Sequence, residues 1–323
     1  MLAVQVAEFG GPEVLVPVEL PDPVAGPDEV VIDVAYVDTI FVESQIRSGW
    51  GREFFPVTFP YVPGGGVAGI VSSVGPGVPS GWLGRRVTAF VTGGYAERAV
   101  ARVPALTPVP DGLDLRTAAA LVHDGVTAAG LIELTGVGPT DRVLVLGASG
   151  GMGTLLVQLA HARDARVVAV ARGPEKLSLV RELGADAAVD ATRPDWPSAA
   201  RTALGGDTPS ADVVLDGVGG TLGAAAFPLT ADGGRFSAHG APTGGFTPVD
   251  PAEAARRAIT LLGIADLQFP DPDRTRLAST ALTEAAAGRL RPVIAEAFPL
   301  GRAADAHRAI EGRELVGKVV LKV

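Results

Sequence analysis

The sequence predicts an α/β protein in which a doubly wound, mostly parallel sheet is joined to a second, β-rich domain. Three observations carry that expectation. From Asp141 onward, short apolar runs alternate with helical patterns, as in successive βαβ units. A glycine cluster, Gly147-x-x-Gly150-x-x-Gly153, stands directly between one apolar run and the helix that follows it. Residues 1–117, by contrast, carry many short strand-like runs separated by glycine and proline.

The 323 residues are enough for two domains, and 47% of them are hydrophobic, so a large core is available. Cysteine is absent, which excludes disulfides, thiolate zinc sites and a cysteine nucleophile. A formal net charge of −9 without a Lys/Arg-rich block argues against nucleic acid as a partner. The N-terminal stretch has neither the basic nor the apolar segment of a signal peptide, and no apolar run approaches the length of a membrane span. A cytoplasmic protein without membrane partners is the expectation.

Taken in order, residues 3–6, 15–19, 29–36, 66–74, 86–90 and 96–101 read as strands of a compact, barrel-like β domain, with a short helix within 38–49. Residues 114–134 read as the first long helical stretch, closed by Gly136 and Pro139. Val143 to Leu146 is too continuous for a half-exposed strand and fits a parallel strand buried on both faces. Leu155, Leu156, Leu159 and Ala162 recur at helical spacing behind the glycines, and residues 165–171 supply the next strand. Further strands are expected at 187–190, 212–216 and 234–237, with helices at 174–183, 196–204 and 220–228. Residues 278–287 and a segment around Ala303 to Ile310 read as helices, and 316–322 as a last buried strand returning to the N-terminal domain.

The strand–glycine turn–helix unit is the arrangement that lets a pyrophosphate approach a helix N-terminus. Ligand should lie off the carboxyl ends of the strands, where Gly147, Arg172, Gly217 and Ala238 fall. The tip of the second strand then selects the cofactor. An Asp or Glu there would bond a ribose 2′-hydroxyl, whereas a 2′-phosphate needs a cation. Arg172 and Lys176 occupy that region without a carboxylate at the tip, which favours NADPH; the alternative is two solvated surface cations.

Several segments together, EFGGPEVL, PGGGVAGIVSSVGPGV, GGYAERAV, GASGGMG, GPEKLSLVRELGAD, VVLDGVGG and ELVGKVVLKV, run in the order of the zinc-independent quinone oxidoreductases, a family of the medium-chain dehydrogenase/reductase superfamily. The chain resembles that family over essentially its whole length. The resemblance implies a GroES-like catalytic domain, 1–117 completed by 270–323, and a Rossmann NADPH-binding domain, 118–269, with the active site in a cleft. It also implies NADPH as hydride donor, a quinone or related conjugated carbonyl as acceptor, and a homodimer. An enoyl or alkenal (2-alkene) reductase, or a catalytically silent NADPH-binding sensor, remains the alternative.

Residue by residue, the resemblance places Asp38 or Thr39 near a family asparagine that approaches the nicotinamide, and Thr127 at a position near the same ring. The expected cofactor-binding set is Thr127, Ser149, Gly150, Gly151, Met152, Arg172, Lys176, Gly217, Val218, Ala238, His239 and Gly240. No metal is expected, because Gly64-Gly65-Gly66 stands where zinc-dependent relatives carry Gly-His-Glu, and the four histidines share no ligand spacing. Among the departures from the family pattern, Trp50, Phe54 and Phe55 suggest an apolar wall for a flat acceptor, or ordinary loop anchors. Asp190 to Arg193 replaces a tyrosine that supports the adenosine phosphate. His123 is read as a core histidine bonded to backbone in preference to a proton donor, and Lys318 as a solvated strand-edge lysine.

Overall fold

The computed structural model describes residues 1–52, 55–206, 211–313 and 315–323. The chain forms two compact units, Met1–Val126 with Pro270–Val323, and Thr127–Phe269. No helix among the described residues is long and apolar enough to cross a membrane.

The first unit begins with β1 (Leu2–Gln5), β2 (Val16–Glu19) and β3 (Glu29–Asp38), followed by α1 (Phe41–Ser48). Four more strands follow, β4 (Gly66–Val74), β5 (Arg86–Phe90), β6 (Arg98–Arg102) and β7 (Leu106–Pro108), and then α2 (Leu115–Ala119). The boundary between the units falls inside α3 (Asp124–Thr135). Where the sequence suggests one helical stretch over 114–134, the structure has two helices. The His123 N–H leaves the helical ladder and donates to the Asp38 carboxylate, 2.9 Å away, which breaks the run between them.

The second unit continues with β8 (Arg142–Leu146), α4 (Gly151–His161), β9 (Arg166–Ala171), α5 (Pro174–Glu182), β10 (Ala187–Asp190) and α6 (Trp196–Leu204). It closes with β11 (Ala211–Asp216), α7 (Gly220–Ala226), β12 (Thr230–Ala238), α8 (Pro251–Arg256) and β13 (Thr260–Gly263). Every strand pair in it is parallel, and the order is β10-β9-β8-β11-β12-β13. Counted from β8, this is the 3-2-1-4-5-6 order of the dinucleotide-binding fold, with its topological switch between β8 and β11. The predicted α/β class and doubly wound sheet are therefore observed. β13 escapes the sequence reading because its short Thr260-Leu261-Leu262-Gly263 segment, half open to solvent at the sheet edge, has no alternation to betray it. Leu144, Leu146, Val168, Val170, Val214 and Phe236 form the centre of this unit's core.

The chain then returns to the first unit as α9 (Asp271–Ala286), β14 (Ile294–Pro299), α10 (Ala303–Gly312) and β15 (Lys318–Lys322). β15 pairs antiparallel with β3 and parallel with β14, extending the order β14-β15-β3-β4-β5-β7, while β6 pairs the other half of β3. β3 is thus the hub of this sheet, and its apolar residues enter a core with Val67, Val71, Val87, Tyr95, Leu106 and Leu321. β4 crosses β3 closely at a register shift. A Cβ at Gly69 would stand 2.2 Å from the Asp33 carbonyl oxygen, so only glycine fits there.

Leu144 has no exposed surface at the centre of the parallel sheet. Leu144→Ala should lower unfolding stability by about 2–5 kcal/mol, the range for a large-to-small change in a close-packed core, as measured by urea denaturation.

Candidate active site

The carboxyl ends of β8, β9, β11 and β12 build one edge of the second unit. β8 ends at Leu146, and Gly147 takes φ +68°, a left-handed conformation that turns the chain sharply. A Cβ on Gly153 would lie 2.2 Å from the Gly147 carbonyl oxygen, so α4 is pressed directly against that turn. Gly150 is different. Its φ is −78°, and a Cβ there would meet only the Gly147 oxygen at 3.4 Å, an ordinary contact. The chain itself does not require glycine at this position. What its bare backbone provides is an uncovered start to α4, which has no side-chain cap on its first N–H groups. Such an end carries partial positive charge and binds anions. Ser149, Gly151 and Met152 lie half-buried around it.

Arg172 is exposed immediately after β9, and Lys176 is half-buried in the first turn of α5. Asp190, at the end of β10, is taken up by its own turn: it accepts from the Thr192 N–H at 3.0 Å and the Thr192 hydroxyl at 2.9 Å. Those two bonds hold its carboxyl below the usual range. Asp216, fully buried at the end of β11, accepts from the Val218 and Gly219 N–H groups, each at 2.9 Å, and from the Thr247 hydroxyl. Its backbone oxygen accepts from the N–H groups of His239 and Gly240. A single aspartate thus shapes both the Gly217–Val218 turn and the one after Ala238. A Cβ on Gly240 would fall 2.1 Å from the Gly217 oxygen, so the two turns are in backbone contact.

His239 is 6% exposed, with Nδ1 at 3.1 Å from the Ser237 hydroxyl and Nε2 without a partner. Burial outweighs the Asp216 carboxylate and brings its pKa from 6.5 down to about 4, so the ring is neutral at pH 7. Of the residues expected to bind cofactor, all but Thr127 fall at this one sheet edge; Thr127 lies half-buried on α3.

Of the three residues expected to be catalytic, Asp38, Thr39 and Thr127, the first two lie in the first unit and point inward. Asp38 has no exposed surface. Its Oδ2 accepts from the backbone N–H of His123 at 2.9 Å and from His123 Nδ1–H at 2.7 Å, while Oδ1 pairs with the Lys318 ammonium at 2.6 Å. Lys318 also reaches Asp124 at 3.0 Å. Thr39 is 3% exposed and donates its hydroxyl proton to the Val319 carbonyl. Neither Asp38 nor Thr39 presents a free polar atom outward. Two further readings are corrected here. His123 is held by a carboxylate as well as through its backbone, and 21% of its side chain is exposed. Lys318 is not solvated: its side chain is 5% exposed and doubly ion-paired, because β15 is covered on the face it occupies.

Burial alone would raise the Asp38 carboxyl, but Lys318 and His123 outweigh it and bring its pKa from 3.8 to about 2. Burial would likewise push the Lys318 ammonium down, and Asp124 and Asp38 hold it above the ordinary lysine range. Asp124, at the rim of the cluster, is raised by burial despite Lys318.

A second buried network adjoins the first. Glu43, on α1, accepts from the Gly65 N–H at 3.1 Å and from the Tyr95 hydroxyl at 2.7 Å. That hydroxyl in turn accepts from His307 Nε2–H at 2.9 Å, leaving His307 Nδ1 without a partner. Burial, with the nearby Arg47 charge, lowers the His307 pKa from 6.5 to about 3. Sequence reasoning misses Glu43, Tyr95 and Asp216; of these, Asp216 carried a signal, as a carboxylate closing an apolar strand. Trp50 and Phe55 are half-buried, and Phe54 lies outside the described residues.

The glycine triplet at 64–66 is filled from behind. A Cβ on Gly64 would stand 2.5 Å from the Tyr95 ring, and Cβ atoms on Gly65 and Gly66 would stand 3.1 and 3.0 Å from the His123 imidazole. Among the described residues, no group of three or more His, Cys, Asp or Glu is placed to hold a metal ion.

Two family models match the chain: "Alcohol dehydrogenase GroES-like domain" over residues 26–111 and "Zinc-binding dehydrogenase" over residues 151–277. The mouse quinone oxidoreductase is 31% identical, across 99% of this chain and 97% of its own. The chain belongs to the quinone oxidoreductase family. A 2-haloacrylate reductase from a Burkholderia species is 29% identical over 99% of this chain and 98% of its own. A mycobacterial protein solved in complex with NADPH matches over the full length of both chains, with a TM-score of 0.90 and 30% identity. The family makes this chain an oxidoreductase built from a GroES-like and a Rossmann domain within the medium-chain dehydrogenase/reductase superfamily.

Two predictions rest on the buried charges. Lys318→Met leaves two buried carboxylates facing each other and should cost about 3–5 kcal/mol of stability at pH 7, measured by denaturant unfolding. The depressed groups also fix an acid response. Below 6.5 the unfolded chain protonates His239 and His307, whereas the folded chain resists down to about 4 and about 3, so stability should fall as pH drops through that window. Asp38 adds a further loss between 3.8 and about 2. Unfolding curves at successive pH values should show this slope, reduced by one proton in His307→Gln.

Proposed function

We propose that the chain is an NADPH-dependent reductase that delivers hydride to a quinone or a related conjugated carbonyl without using zinc. The observation that carries this reading is the uncovered N-terminus of α4 at Gly150, with Arg172 exposed at the tip of the neighbouring strand. The first supports a pyrophosphate, and the second a 2′-phosphate. The NADPH complex of the mycobacterial relative supports the same choice. Bound at that edge, the nicotinamide cofactor supplies the hydride.

The chain's own residues then have separable tasks. Gly147 and Gly153 let the turn and helix close on each other, and Gly150 to Met152 offer N–H groups to phosphate oxygens. Arg172 and Lys176 hold the 2′-phosphate. Gly217, Val218 and Gly240, set by Asp216, keep the ring-side wall flat, and His239 Nε2 is available to bond the cofactor. Thr127 contacts it from α3. Asp38 and Thr39 act by positioning their neighbours.

Zinc independence draws on the absence of cysteine and on the tenanted glycines at 64–66. A conjugated acceptor suits a metal-free site, because the arriving charge spreads onto the carbonyl oxygen and needs hydrogen-bond donors in place of a Lewis acid. The haloacrylate reductase relative favours a second reading within the same chemistry, reduction of an alkene conjugated to a carbonyl. A cytoplasmic homodimer completes the reading.

Stopped-flow NADPH oxidation against quinones, enones and enoyl thioesters tests it. Turnover of any of these is expected; cofactor binding without turnover of any would leave a silent sensor instead. Arg172→Glu should lower the preference for NADPH over NADH by about tenfold or more, through loss of a charged hydrogen bond to phosphate. An unchanged preference would remove the phosphate site. Dialysis against a strong chelator should leave activity intact.

A further inference from the structure

We propose that the slot beside Gly217, walled by the Leu146 carbonyl oxygen and His239 Nε2, takes the carboxamide N–H₂ of the nicotinamide and so selects an amide-bearing cofactor. This rests on the NADPH reading above and narrows it to one chemical group. The sheet order gives the direction in which the cofactor lies. Arg172 marks its 2′-phosphate end at the tip of β9, and the start of α4, after β8, marks the pyrophosphate. The remaining half runs across the tips of β11 and β12, which come next in the order β10-β9-β8-β11-β12-β13. Gly217 directly follows β11, and His239 directly follows β12.

The slot is defined by a side chain that is missing. Gly217 takes no positive φ, so its backbone does not require glycine. A Cβ there would meet two atoms within 4 Å, the Leu146 oxygen at 3.3 Å and His239 Nε2 at 3.4 Å. The crowding between the two turns belongs to Gly240, whose own Cβ would stand 2.1 Å from the Gly217 oxygen. A space the size of a methyl group is thus bounded by an oxygen and a nitrogen, both belonging to the second unit.

Both walls accept hydrogen bonds. The carbonyl oxygen has no proton to give. The proton of the neutral His239 ring is placed by Ser237, whose hydroxyl lies 3.1 Å from Nδ1 and whose backbone also bonds the ring in a way that favours its protonated form. A backbone group with that effect is a carbonyl, and Nε2 has no partner, so Nδ1 is the nitrogen that donates. Nε2 is left as a bare lone pair on a side chain 6% exposed. Such an acceptor is costly until a donor meets it. A primary amide answers two neighbouring acceptors at once, because one nitrogen carries two N–H bonds. A carboxylate in its place brings only acceptors and charge, a methyl ketone brings no donor, and a ribose hydroxyl answers one wall only.

Calorimetric titration of the full-length protein with oxidised cofactors tests this without turnover. The thionicotinamide analogue of NADP⁺ keeps the N–H₂ and should bind within about threefold of NADP⁺ itself. The 3-acetylpyridine analogue, with a methyl in place of the amino group, should bind about tenfold more weakly, and the nicotinic acid analogue about 100-fold more weakly. Gly217→Ala fills the slot. It should weaken NADP⁺ about tenfold, to the level of the acetylpyridine analogue, while adenosine 2′,5′-bisphosphate, which lacks the nicotinamide, binds as it does to the wild type. In ¹⁵N-histidine spectra, the resonances lost in His239→Gln should show Nδ1 protonated and Nε2 bare, and NADP⁺ but not the bisphosphate should shift Nε2. Equal wild-type affinity for NADP⁺ and the acetylpyridine analogue, unchanged NADP⁺ affinity in Gly217→Ala, or a proton on Nε2 would each overturn the proposal. An Nε2 shift without discrimination among the analogues would overturn it in favour of a ribose hydroxyl and leave the NADPH reading intact. Binding of neither NADP⁺ nor the bisphosphate to the wild type would remove both.

Discussion

The first unit depends on one buried lysine. Lys318 places an ammonium, almost without exposure, between the carboxylates of Asp38 and Asp124. Removing such an ion from water costs several kcal/mol, and attraction to two carboxylates at hydrogen-bonding distance is what offsets it. The consequence is topological as well as electrostatic. Asp38 ends β3, Asp124 begins α3 and Lys318 begins β15, so satisfying one charge pins the C-terminal strand, the central strand and the start of a helix to a common point. Thr39 adds to the same junction by donating to the Val319 carbonyl. The orientation of His123 belongs to the same arrangement, since Asp38 holds the imidazole with Oδ2 and Lys318 with Oδ1.

In the second unit the governing constraint is backbone proximity rather than charge. Glycines permit three close approaches at the carboxyl edge: α4 against the Gly147 turn at Gly153, the Gly217 turn against Gly240, and Gly219 beside the Gly240 and Gly245 oxygens, where a Cβ would stand 2.6 and 2.3 Å away. These contacts draw four strand ends into a shallow, side-chain-poor surface. Gly150 is the informative exception, because no neighbouring atom of the chain demands it. A glycine that the fold does not need, at the open end of a helix, is what the proposed cofactor site accounts for.

These two halves differ in how much of them the sequence discloses. The dinucleotide edge is legible because its determinants are local: each strand, its tip and the helix after it are contiguous, so Gly147 to Gly153 and Arg172 can be placed from spacing alone. The cluster around Asp38 is assembled from positions far apart in the chain, and no periodicity links residue 38 to 318. A weaker signal was present nonetheless. Lys318 sits within Val316-Gly317-Lys318-Val319-Val320-Leu321, and His123-Asp124 interrupts an apolar stretch; a charge inside a buried run must have a partner elsewhere. What the pattern could not supply is which carboxylate answers which cation. The break between α2 and α3 was hidden for the same reason, since it is imposed by a bond to Asp38 rather than by a glycine or proline.

The glycine triplet shows how closely the chain packs around the His123 ring. With side chains at 65 and 66, the volume now taken by the His123 ring would be contested: the nearest ring atoms stand 3.1 and 3.0 Å from the Cβ positions, and Val122 stands 2.7 Å from that of Gly66. A side chain at either position would press on the imidazole and require it to give by a few tenths of an ångström. Filling this space with His123 leaves the first unit with a single imidazole at the surface and its supporting charges buried behind it.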